Sequence, residues 1–364
     1  MNDTELLTLH RELVEVPSPS RDEARVCEFV SGFLEAHGHA PERLGNNLYV
    51  AVGEPPYLCF NSHLDTVPAS NGWQRPPHRA VREDGKVYGL GSNDAKASVA
   101  AMIAAFLRLA VEPERRGGLL LALAAEEECG GKGSELLVPA LARRGLTPAA
   151  VVVGEPTGLD VAVAQKGLLV LELVASGQAC HAAHAHRLGA DNALRLLARD
   201  LVALERADLG PADPDLGPVT LEPTMVSGGT AKNMVPAEAR AVLDVRVNPG
   251  ENPAVLVTRL RRLVAGELRV LSDRLRPVAI HRDHPLVSAA QLARPEATLM
   301  GSRGVSDLVF FRDIPGIKVG PGQTERSHTA DEFVLESEII QGAQFYERLA
   351  RAFQPPPAAS GAPS

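Results

Sequence analysis

Histidine and carboxylate residues recur in this sequence where predicted core strands end or in nearby loops. They are, in chain order, His63 and Asp65, Asp94, Glu126 to Glu128, Glu155, and His328. In an open α/β sheet, ligands bind in the crevice beyond the carboxyl ends of the strands, so we expect these side chains to converge there. Two histidines with several carboxylates, and no cysteine thiolate in the set, suit two divalent ions such as Zn²⁺ or Co²⁺.

Each of these clusters also has an ordinary structural explanation. A His-x-Asp sequence alone more often forms a turn or caps a helix than binds a metal, and three adjacent glutamates usually form a solvated surface. Here the glutamates follow the apolar run at 117–125, where a continuing strand would be buried, and a small-residue loop comes next. Five such clusters in one chain are hard to explain by turns and surface alone, so the sequence favours a metal site.

Other motifs of cofactor binding and nucleophilic catalysis are incomplete. The GLG at 89–91 lacks the third glycine of a dinucleotide-binding fingerprint. The GGKGS at 130–134 lacks the upstream glycine of a phosphate-binding loop, and the sequence contains no GxSxG elbow.

The composition is that of a soluble globular protein with room for one large domain or two ordinary ones. A net charge of −8 argues against a nucleic-acid or anionic-membrane surface, since both require basic patches. The four cysteines share no CxxC spacing, so we expect reduced thiols. The chain starts with acidic residues where a signal peptide is basic and apolar, and we expect a cytoplasmic protein.

The elements that would position the clusters alternate between strands and helices. Apolar runs predict strands at 48–52, 57–60, 119–124, 150–153 and 317–320, and apolar periodicity predicts helices at 4–14, 22–38, 95–110 and 336–353. This alternation indicates a parallel-type α/β sheet with helices on both faces.

A different pattern occupies residues 167–280. Its predicted order is strand, helix, strand, strand, helix, strand, with RPVAI at 276–280 as the final strand, and this order is typical of the ferredoxin-like split unit. We therefore predict a first domain formed by 1–166 and 281–354, an inserted domain at 167–280, and a Pro-, Ala- and Ser-rich disordered tail at 355–364.

The sequence resembles one known family along nearly its whole length: the dinuclear-zinc amidohydrolases of peptidase family M20. The stretches that carry the resemblance are SHLDTVP, YGLGSNDAKAS, EEECGGKG, VGEPTG, GQACHAAH, GGTAKNMVPAEARAVLDVR, GVSD and SHTADEF, in that order. The family includes succinyl-diaminopimelate desuccinylase, aminoacylase and carboxypeptidase G2. The acetylornithine deacetylase branch is the most similar in GLGSxDAK and RSHTADEF.

The resemblance implies a zinc-peptidase-like catalytic domain, with a central mixed sheet flanked by helices, and an inserted ferredoxin-like α+β lid and dimerisation domain. It implies metal ligation by five residues, namely His63, Asp94 as the bridging ligand, Glu128, Glu155 and His328. Asp65 would orient the imidazole of His63. Glu127 would be the general base.

The resemblance also implies roles for residues of the inserted domain and its surroundings. His181 would reach the active site of the partner subunit in a homodimer, although CHAAHAHR contains three histidines, any of which could be surface residues. Arg246 would hold the substrate carboxylate, although a cross-strand salt bridge is its simpler explanation. The other residues expected near the substrate are Asn233, Gly304, Ser306 and Asp307.

Three departures from the family pattern bear on these expectations. DAKAS replaces the common DMKG after the bridging aspartate, which could reshape the helix start. The stretch between His284 and Ser306 is shorter than usual, which leaves the local helix open. Diaminopimelate desuccinylases tend to have Arg-Arg-Gly-Ser where this chain has Gln-Lys-Gly-Leu at 165–168, which argues against a dianionic succinyl substrate.

The resulting prediction is a zinc- or cobalt-dependent amidohydrolase that acts on an N-acyl amino acid. Among the candidate reactions, we expect the hydrolysis of N-acetylornithine to ornithine and acetate in arginine biosynthesis. The alternatives are release of lysine or ornithine from an amino-group carrier protein, deacetylation of N-acetyl-lysine, and, with less support, desuccinylation or dipeptide hydrolysis. A binding module without activity would be expected to have lost Glu127 or a ligand, and none is missing.

Overall fold

The chain folds into two compact units in a computed structural model that describes residues 1–113 and 117–353. Unit 1 comprises Met1–Val163, Ile280–Met300 and the described residues from Ser306 onward, and unit 2 comprises Ala164–Ala279 and Gly301–Val305. The predicted tail at 355–364 lies outside the described residues. Among the helices of the described part, none has the length and apolarity needed to cross a membrane.

Unit 1 contains most of the helices and a large sheet. Its elements are α1 (Asp3–Glu15), α2 (Ala24–Ala36), β1 (Glu42–Leu44), β2 (Asn47–Val52), β3 (Tyr57–His63), β4 (Val81–Glu83), β5 (Lys86–Tyr88), α3 (Lys96–Ala110), β6 (Gly118–Ala124), α4 (Lys132–Arg143), β7 (Pro148–Val153), β8 (Val161–Gln165, which runs into unit 2), α8 (Pro285–Ala293), β16 (Leu299–Ser302, which also runs into unit 2), β17 (Gly316–Lys318), β18 (Phe333–Leu335) and α9 (Glu336–Ala352).

Unit 2 contains the remaining elements. These are β9 (Gly167–Ser176), β10 (Cys180–His181), α5 (Ala185–Leu188), α6 (Ala193–Glu205), β11 (Thr220–Gly228), β12 (Met234–Val235), β13 (Glu238–Val247), α7 (Pro253–Arg261), β14 (Glu267–Leu275) and β15 (Val278–Ala279).

The large sheet is mixed, with a parallel centre and antiparallel edges. Seven of its strands follow the order β1-β2-β6-β3-β7-β17-β8, and β15 and β16 both pair with β8. The four strands β6, β3, β7 and β17 are parallel. Every residue of β3 and β6 is buried, because helices cover both faces of the sheet, and both runs are apolar apart from Asn61, Ser62 and His63 at the end of β3. The carboxyl ends of β6, β3 and β7 therefore lie side by side at one edge, and the expected mixed sheet flanked by helices is confirmed.

Helix α3 anchors the core of unit 1. Thirteen of its fifteen residues are buried, and its many alanines let α1 and α9 approach closely. Because α3 begins at Lys96, directly after the GLGSNDA stretch, its burial fixes the position where that loop must end.

The sheet of unit 2 is antiparallel, in the order β11-β13-β9-β14, which is the strand order of a ferredoxin-like split unit. Burial alternates along β13, whose inward residues join α6 and α7 in a separate hydrophobic core.

Several predicted elements need correction. The fourth strand of the unit 2 sheet is β14 and not RPVAI, in which only Val278 and Ala279 form a strand, paired with Gln165 and Ala164. The sequence pattern missed β14 because most of its residues are exposed. It also missed α4 and the small sheet of β18, β5 and β4. The stretch between His284 and Ser306 does contain a helix, α8.

Candidate metal centre

His63 is the last residue of β3 and lies buried at the carboxyl edge of the sheet. Its Nδ1 lies 3.0 Å from the backbone carbonyl oxygen of Asp65, and its Nε2 lies 3.2 Å from Oδ1 of Asp94. A proton on Nδ1 would be donated to that carbonyl, which leaves the lone pair of Nε2 directed at the cluster. This is the arrangement of a histidine prepared to bind a cation.

The Asp65 carboxylate holds the neighbouring loop as well as the histidine. Its Oδ1 accepts the backbone N–H of Glu127 at 3.0 Å, and its Oδ2 accepts the N–H of Glu128 at 3.1 Å and the hydroxyl of Ser20 at 2.7 Å. The same Oδ1 is 3.5 Å from Nδ1 of His63. Desolvation opposes ionisation, but His63 and these donors hold the pKa of Asp65 below its usual range.

The acidic loop (126–128) begins two residues after β6 ends. Glu126 has a positive φ of 57°, which turns the chain out of the strand direction. The buried carboxylate of Glu23 accepts the N–H of Glu126 at 3.2 Å and the N–H of Arg21 at 2.6 Å. Two buried carboxylates, Glu23 and Asp65, thus fix the backbone of all three glutamates.

Three groups of side chains lie close enough to share a cation. In each group, one ligand atom from every member lies within 4.8 Å of the others. The groups are His63 with Asp94 and Glu155, Asp94 with Glu128 and His328, and His63 with Glu127 and Glu128.

Asp94 connects the first two of these groups through different oxygens. Its Oδ1 lies 3.2 Å from Nε2 of His63, while its Oδ2 lies 3.7 Å from Nε2 of His328. His328 also lies 2.9 Å from Oε1 of Glu128, and His63 lies 3.9 Å from Oε1 of Glu155. Each oxygen of Asp94 thus faces a different histidine.

The concentration of carboxylates shifts the pKa of several groups of the cluster. Desolvation raises the pKa of Glu155 to about 7, with Lys318 opposing the shift and Asp94 adding to it. Desolvation and the charge of Glu155 raise the pKa of Glu127 well above its usual range. The hydrogen bond to Glu128 raises the pKa of His328 to about 9. Negative charge is in excess here.

The residues present fit a divalent cation. Oε1 of Glu155 is buried and has no hydrogen-bond partner among the residues that the structure describes. A buried carboxylate oxygen without a donor is costly unless a cation satisfies it. The set of imidazole nitrogens and carboxylate oxygens, without thiolates, is one that Zn²⁺ and Co²⁺ accept.

Four other predicted site residues lie in unit 2. His181 is exposed, and its Nδ1 accepts the backbone N–H of Ala183 at 3.2 Å. Asn233 is exposed and Gly304 lies in an exposed loop. Arg246 forms a two-pronged ion pair with Asp244 of its own strand, at 2.7 and 2.9 Å, in place of the cross-strand pair considered from the sequence.

Ser306 and Asp307 belong to unit 1, at the start of a short 3₁₀ helix (Asp307–Phe311). Both are buried. Neither oxygen of the Asp307 carboxylate meets a hydrogen-bond partner within the described part of the chain, and desolvation raises its pKa to about 7.

Sequence reasoning missed two buried carboxylates that hold the cluster in place, Glu23 and Glu332. Glu332 is part of the SHTADEF stretch, and its acidic type within that stretch was the available signal. No sequence signal indicated the role of Glu23, because a glutamate in the DEAR stretch is typical of the charged first turn of a helix.

Comparison with known proteins agrees with the fold. The model of peptidase family M20/M25/M40 matches residues 59–352. A succinyl-diaminopimelate desuccinylase of Halorhodospira halophila is 32% identical over 273 residues, which cover 71% of this chain and 72% of that protein. A probable carboxypeptidase of Aspergillus terreus is 28% identical, with 97% of this chain and 87% of that protein covered.

A solved structure, that of a dinuclear metal binding peptidase of family M20 from Bacillus subtilis, shares the fold. It superposes with a TM-score of 0.73 at 17% identity and covers 96% of this chain and 97% of that one. The family match spans far more than half of the sequence and includes every residue of the three groups of possible cation ligands. The chain belongs to peptidase family M20/M25/M40 and is a hydrolase of amide bonds.

Proposed function

We propose that the protein hydrolyses the amide bond of an N-acyl amino acid with two divalent ions, Zn²⁺ or Co²⁺, held by His63, Asp94, Glu128, Glu155 and His328. The observation that carries this proposal is the arrangement of Asp94, whose two oxygens face two separate groups of ligand atoms. A carboxylate in that position is suited to join two ions. When bound, such ions polarise a carbonyl group and lower the pKa of a water molecule.

Glu127 is the proposed general base. Its neighbour Glu128 belongs to the proposed ligand set, while Glu127 is held at its backbone N–H by Asp65. In this position its carboxylate would take a proton from the attacking water and deliver it to the leaving amine. Glu127 also lies close enough to His63 and Glu128 to be a ligand itself. Metal content of a Glu127 variant therefore separates the two roles.

The preferred substrate in this proposal is N-acetylornithine, in a cytoplasmic step of arginine biosynthesis. At the position where desuccinylases tend to carry arginines, the side chain of Lys166 is buried and donates to the backbone carbonyl of Pro218. Desolvation and the nearby Arg303 lower the pKa of this lysine. A cation engaged in this way is poorly placed to receive a second carboxylate, which supports a neutral acyl group.

A second candidate is desuccinylation of N-succinyl-diaminopimelate. It is favoured by the name of the Halorhodospira halophila relative, at 32% identity. Peptide hydrolysis from the carboxyl end has weaker support, from the fungal relative named a probable carboxypeptidase. All of these substrates share an amide bond next to a free carboxylate.

Unit 2 is the proposed lid and dimerisation domain. In this proposal the protein is a homodimer, and His181 stabilises the oxyanion in the active site of the partner subunit. Asn233, Arg246, Gly304 and Ser306 would contact the substrate, with Arg246 on its carboxylate. The ion pair of Arg246 with Asp244 would then orient the guanidinium, since Arg246 remains one-third exposed.

The test is a panel of substrates with metal-stripped protein reloaded with Zn²⁺ or Co²⁺. It contains N-acetyl and N-succinyl forms of ornithine, lysine and diaminopimelate, N-acetylcitrulline, and a dipeptide. The highest kcat/KM on N-acetylornithine supports the first proposal, and the highest value on N-succinyl-diaminopimelate supports the second. Failure on every small substrate by protein that binds two ions would point to an amino-group carrier protein as the substrate. Absence of metal binding would overturn the whole proposal.

A further inference from the structure

Glu332 lies four residues after His328, and its buried carboxylate accepts three backbone N–H groups of one loop. Oε1 accepts the N–H of Asn93 and of Asp94, both at 2.9 Å, and Oε2 accepts the N–H of Gly91 at 3.0 Å. The loop in question, 89–94, leads directly to the carboxylate of Asp94.

The backbone of Glu332 holds the same loop. Its carbonyl oxygen accepts the N–H of Gly89 at 3.0 Å and the hydroxyl of Ser92 at 3.3 Å. Five hydrogen bonds thus join one residue to a six-residue loop. Glu332 belongs to none of the three groups of possible cation ligands, so its oxygens serve the backbone rather than a cation.

A second set of contacts ties this loop to the chain on the other side of His328. Asn93 donates its side-chain amide to the carbonyl of Gln323 at 3.0 Å and to the hydroxyl of Ser327 at 3.2 Å. Its Oδ1 accepts the N–H of Gln323 at 2.9 Å. His328 is therefore flanked by two attachments to the loop that carries Asp94.

The loop can lie this close only with glycine at position 91. Gly91 has a φ of +77°, and a Cβ there would come within 2.5 Å of Cγ2 of Thr66. A side chain at position 91 would push the loop away from Thr66. Since glycine has none, the N–H of Gly91 can reach Oε2 of Glu332.

We propose that Glu332 is a positioning residue that fixes Asp94 relative to His328 and thereby sets the affinity of the cation group formed by Asp94, Glu128 and His328. This inference rests on the proposed function, because it takes Asp94 and His328 as metal ligands. The inference goes beyond the proposed function by predicting that one of the two cation sites depends on Glu332 more than the other. The group of His63, Asp94 and Glu155 includes only one of the two segments that Glu332 joins.

The deciding variant is Glu332→Gln, which keeps the size of the side chain. A glutamine has one carbonyl oxygen, so one position that now accepts N–H groups becomes a donor facing a donor. In a Co²⁺ titration of metal-stripped full-length protein, followed by Co²⁺ absorption and calorimetry, we expect two equivalents in the wild type. In the variant we expect the Kd of one equivalent to rise about 10- to 100-fold while the other changes less.

Asp200→Asn is the matched control. Asp200 in α6 is also a buried carboxylate that accepts two backbone N–H groups, from Ala265 at 3.0 Å and Gly266 at 2.8 Å, but it belongs to unit 2. We expect this variant to lose thermal stability without any change in either Co²⁺ Kd. A purely structural role of Glu332 would give the same pattern in both variants.

Activity provides an independent readout. At limiting Co²⁺ we expect a lower kcat in Glu332→Gln, with KM little changed, and recovery of kcat at saturating Co²⁺. Wild-type Kd values for both equivalents in the folded variant would overturn the inference, while a wild type that binds no Co²⁺ would instead overturn the proposed function. If Glu332→Gln lacks a cooperative unfolding transition, Glu332→Asp decides in the same titration. Because the aspartate side chain is shorter, we expect the affinity of the variant for one equivalent of Co²⁺ to fall at least about fivefold. Unchanged affinities for Co²⁺ would reject the positioning role.

Discussion

Nε2 of His328 lies 2.9 Å from Oε1 of Glu128, although 200 residues separate them in the sequence. One comes from the acidic loop that follows β6, and the other from the segment that precedes β18. His328 has a φ of +60° and a side chain that is 53% exposed, so a strained backbone presents this histidine at the open side of the cluster. That combination suits a ligand that a cation can reach from solvent.

A first prediction concerns metal-dependent stability. Adding Zn²⁺ to metal-stripped protein should raise its Tm, because a ligand present at 100 times its Kd stabilises the folded state by about 2.7 kcal/mol. His328→Ala should lose much of this shift. His186→Ala, which removes an exposed histidine of unit 2, should keep all of it. Equal shifts in the two variants, measured by differential scanning calorimetry, would remove His328 from the ligand set.

The convergence of strand-end residues was predictable, and the loops that complete the cluster were not. His63 and Glu155 follow apolar runs whose parallel pairing could be inferred from alternating strands and helices. The approach of His328 depends on hydrogen bonds that join Glu332 to the loop 89–94 and Asn93 to Gln323, and these span 230 to 241 residues of the sequence. Local propensity carries no information on such contacts.

The exposed strand β14 marks a second limit of sequence reading. Most of its side chains are exposed, so apolar periodicity assigned the last strand of unit 2 to RPVAI instead. Pairing with the buried strand β9, rather than burial of its own residues, makes Glu267–Leu275 a strand. Hydrophobic patterns detect strands that are buried and miss those that only hydrogen-bond to a buried neighbour.

Glu127→Gln should abolish turnover while the two ions remain bound. The substitution keeps shape and leaves the backbone N–H donated to Asp65, but the amide cannot take up the proton of the attacking water. We expect kcat to fall about 10²- to 10⁴-fold. Glu126→Gln, one residue away, should retain activity. Loss of a metal equivalent from Glu127→Gln, measured by elemental analysis, would show that Glu127 is a ligand rather than the base.

Asp65→Asn should weaken catalysis through the acidic loop as well as through His63. An asparagine offers one oxygen where Asp65 now accepts the N–H groups of Glu127 and Glu128 and the hydroxyl of Ser20. We expect metal affinity or kcat to fall about 10- to 100-fold with an unchanged circular dichroism spectrum. Ser20→Ala removes only one of the three donors and should lose clearly less. Equal losses in both variants would contradict this assignment.

Complementation can test the proposed contribution of His181 to the partner subunit. A hybrid dimer of one Glu127→Gln subunit and one His181→Ala subunit has one site with both residues intact only if His181 acts across the dimer. We therefore expect mixed and refolded subunits to regain up to about half of the wild-type activity per hybrid dimer, from one intact site out of two. His184→Ala, which alters the neighbouring ring at 5.6 Å, should stay active alone. Hybrids as inactive as the parent variants would reject the role across the dimer.

His10 gives the folded protein a predictable loss of stability in acid. Its ring is fully buried in α1, its Nε2 lies 2.8 Å from the carbonyl oxygen of Ser92, and burial lowers its pKa to about 4. The unfolded chain, with an ordinary histidine pKa of about 6.5, binds a proton first as the pH falls. Stability from the neutral ring is therefore complete above pH 6.5 and declines toward pH 4, by about 2 kcal/mol between pH 7.5 and pH 5.

Urea unfolding of His10→Gln should show a shallower dependence on pH by that amount, whereas His281→Gln, an exposed histidine, should follow the wild type. Parallel curves for wild type and His10→Gln would mean that the pKa of His10 is the same in the folded and the unfolded protein.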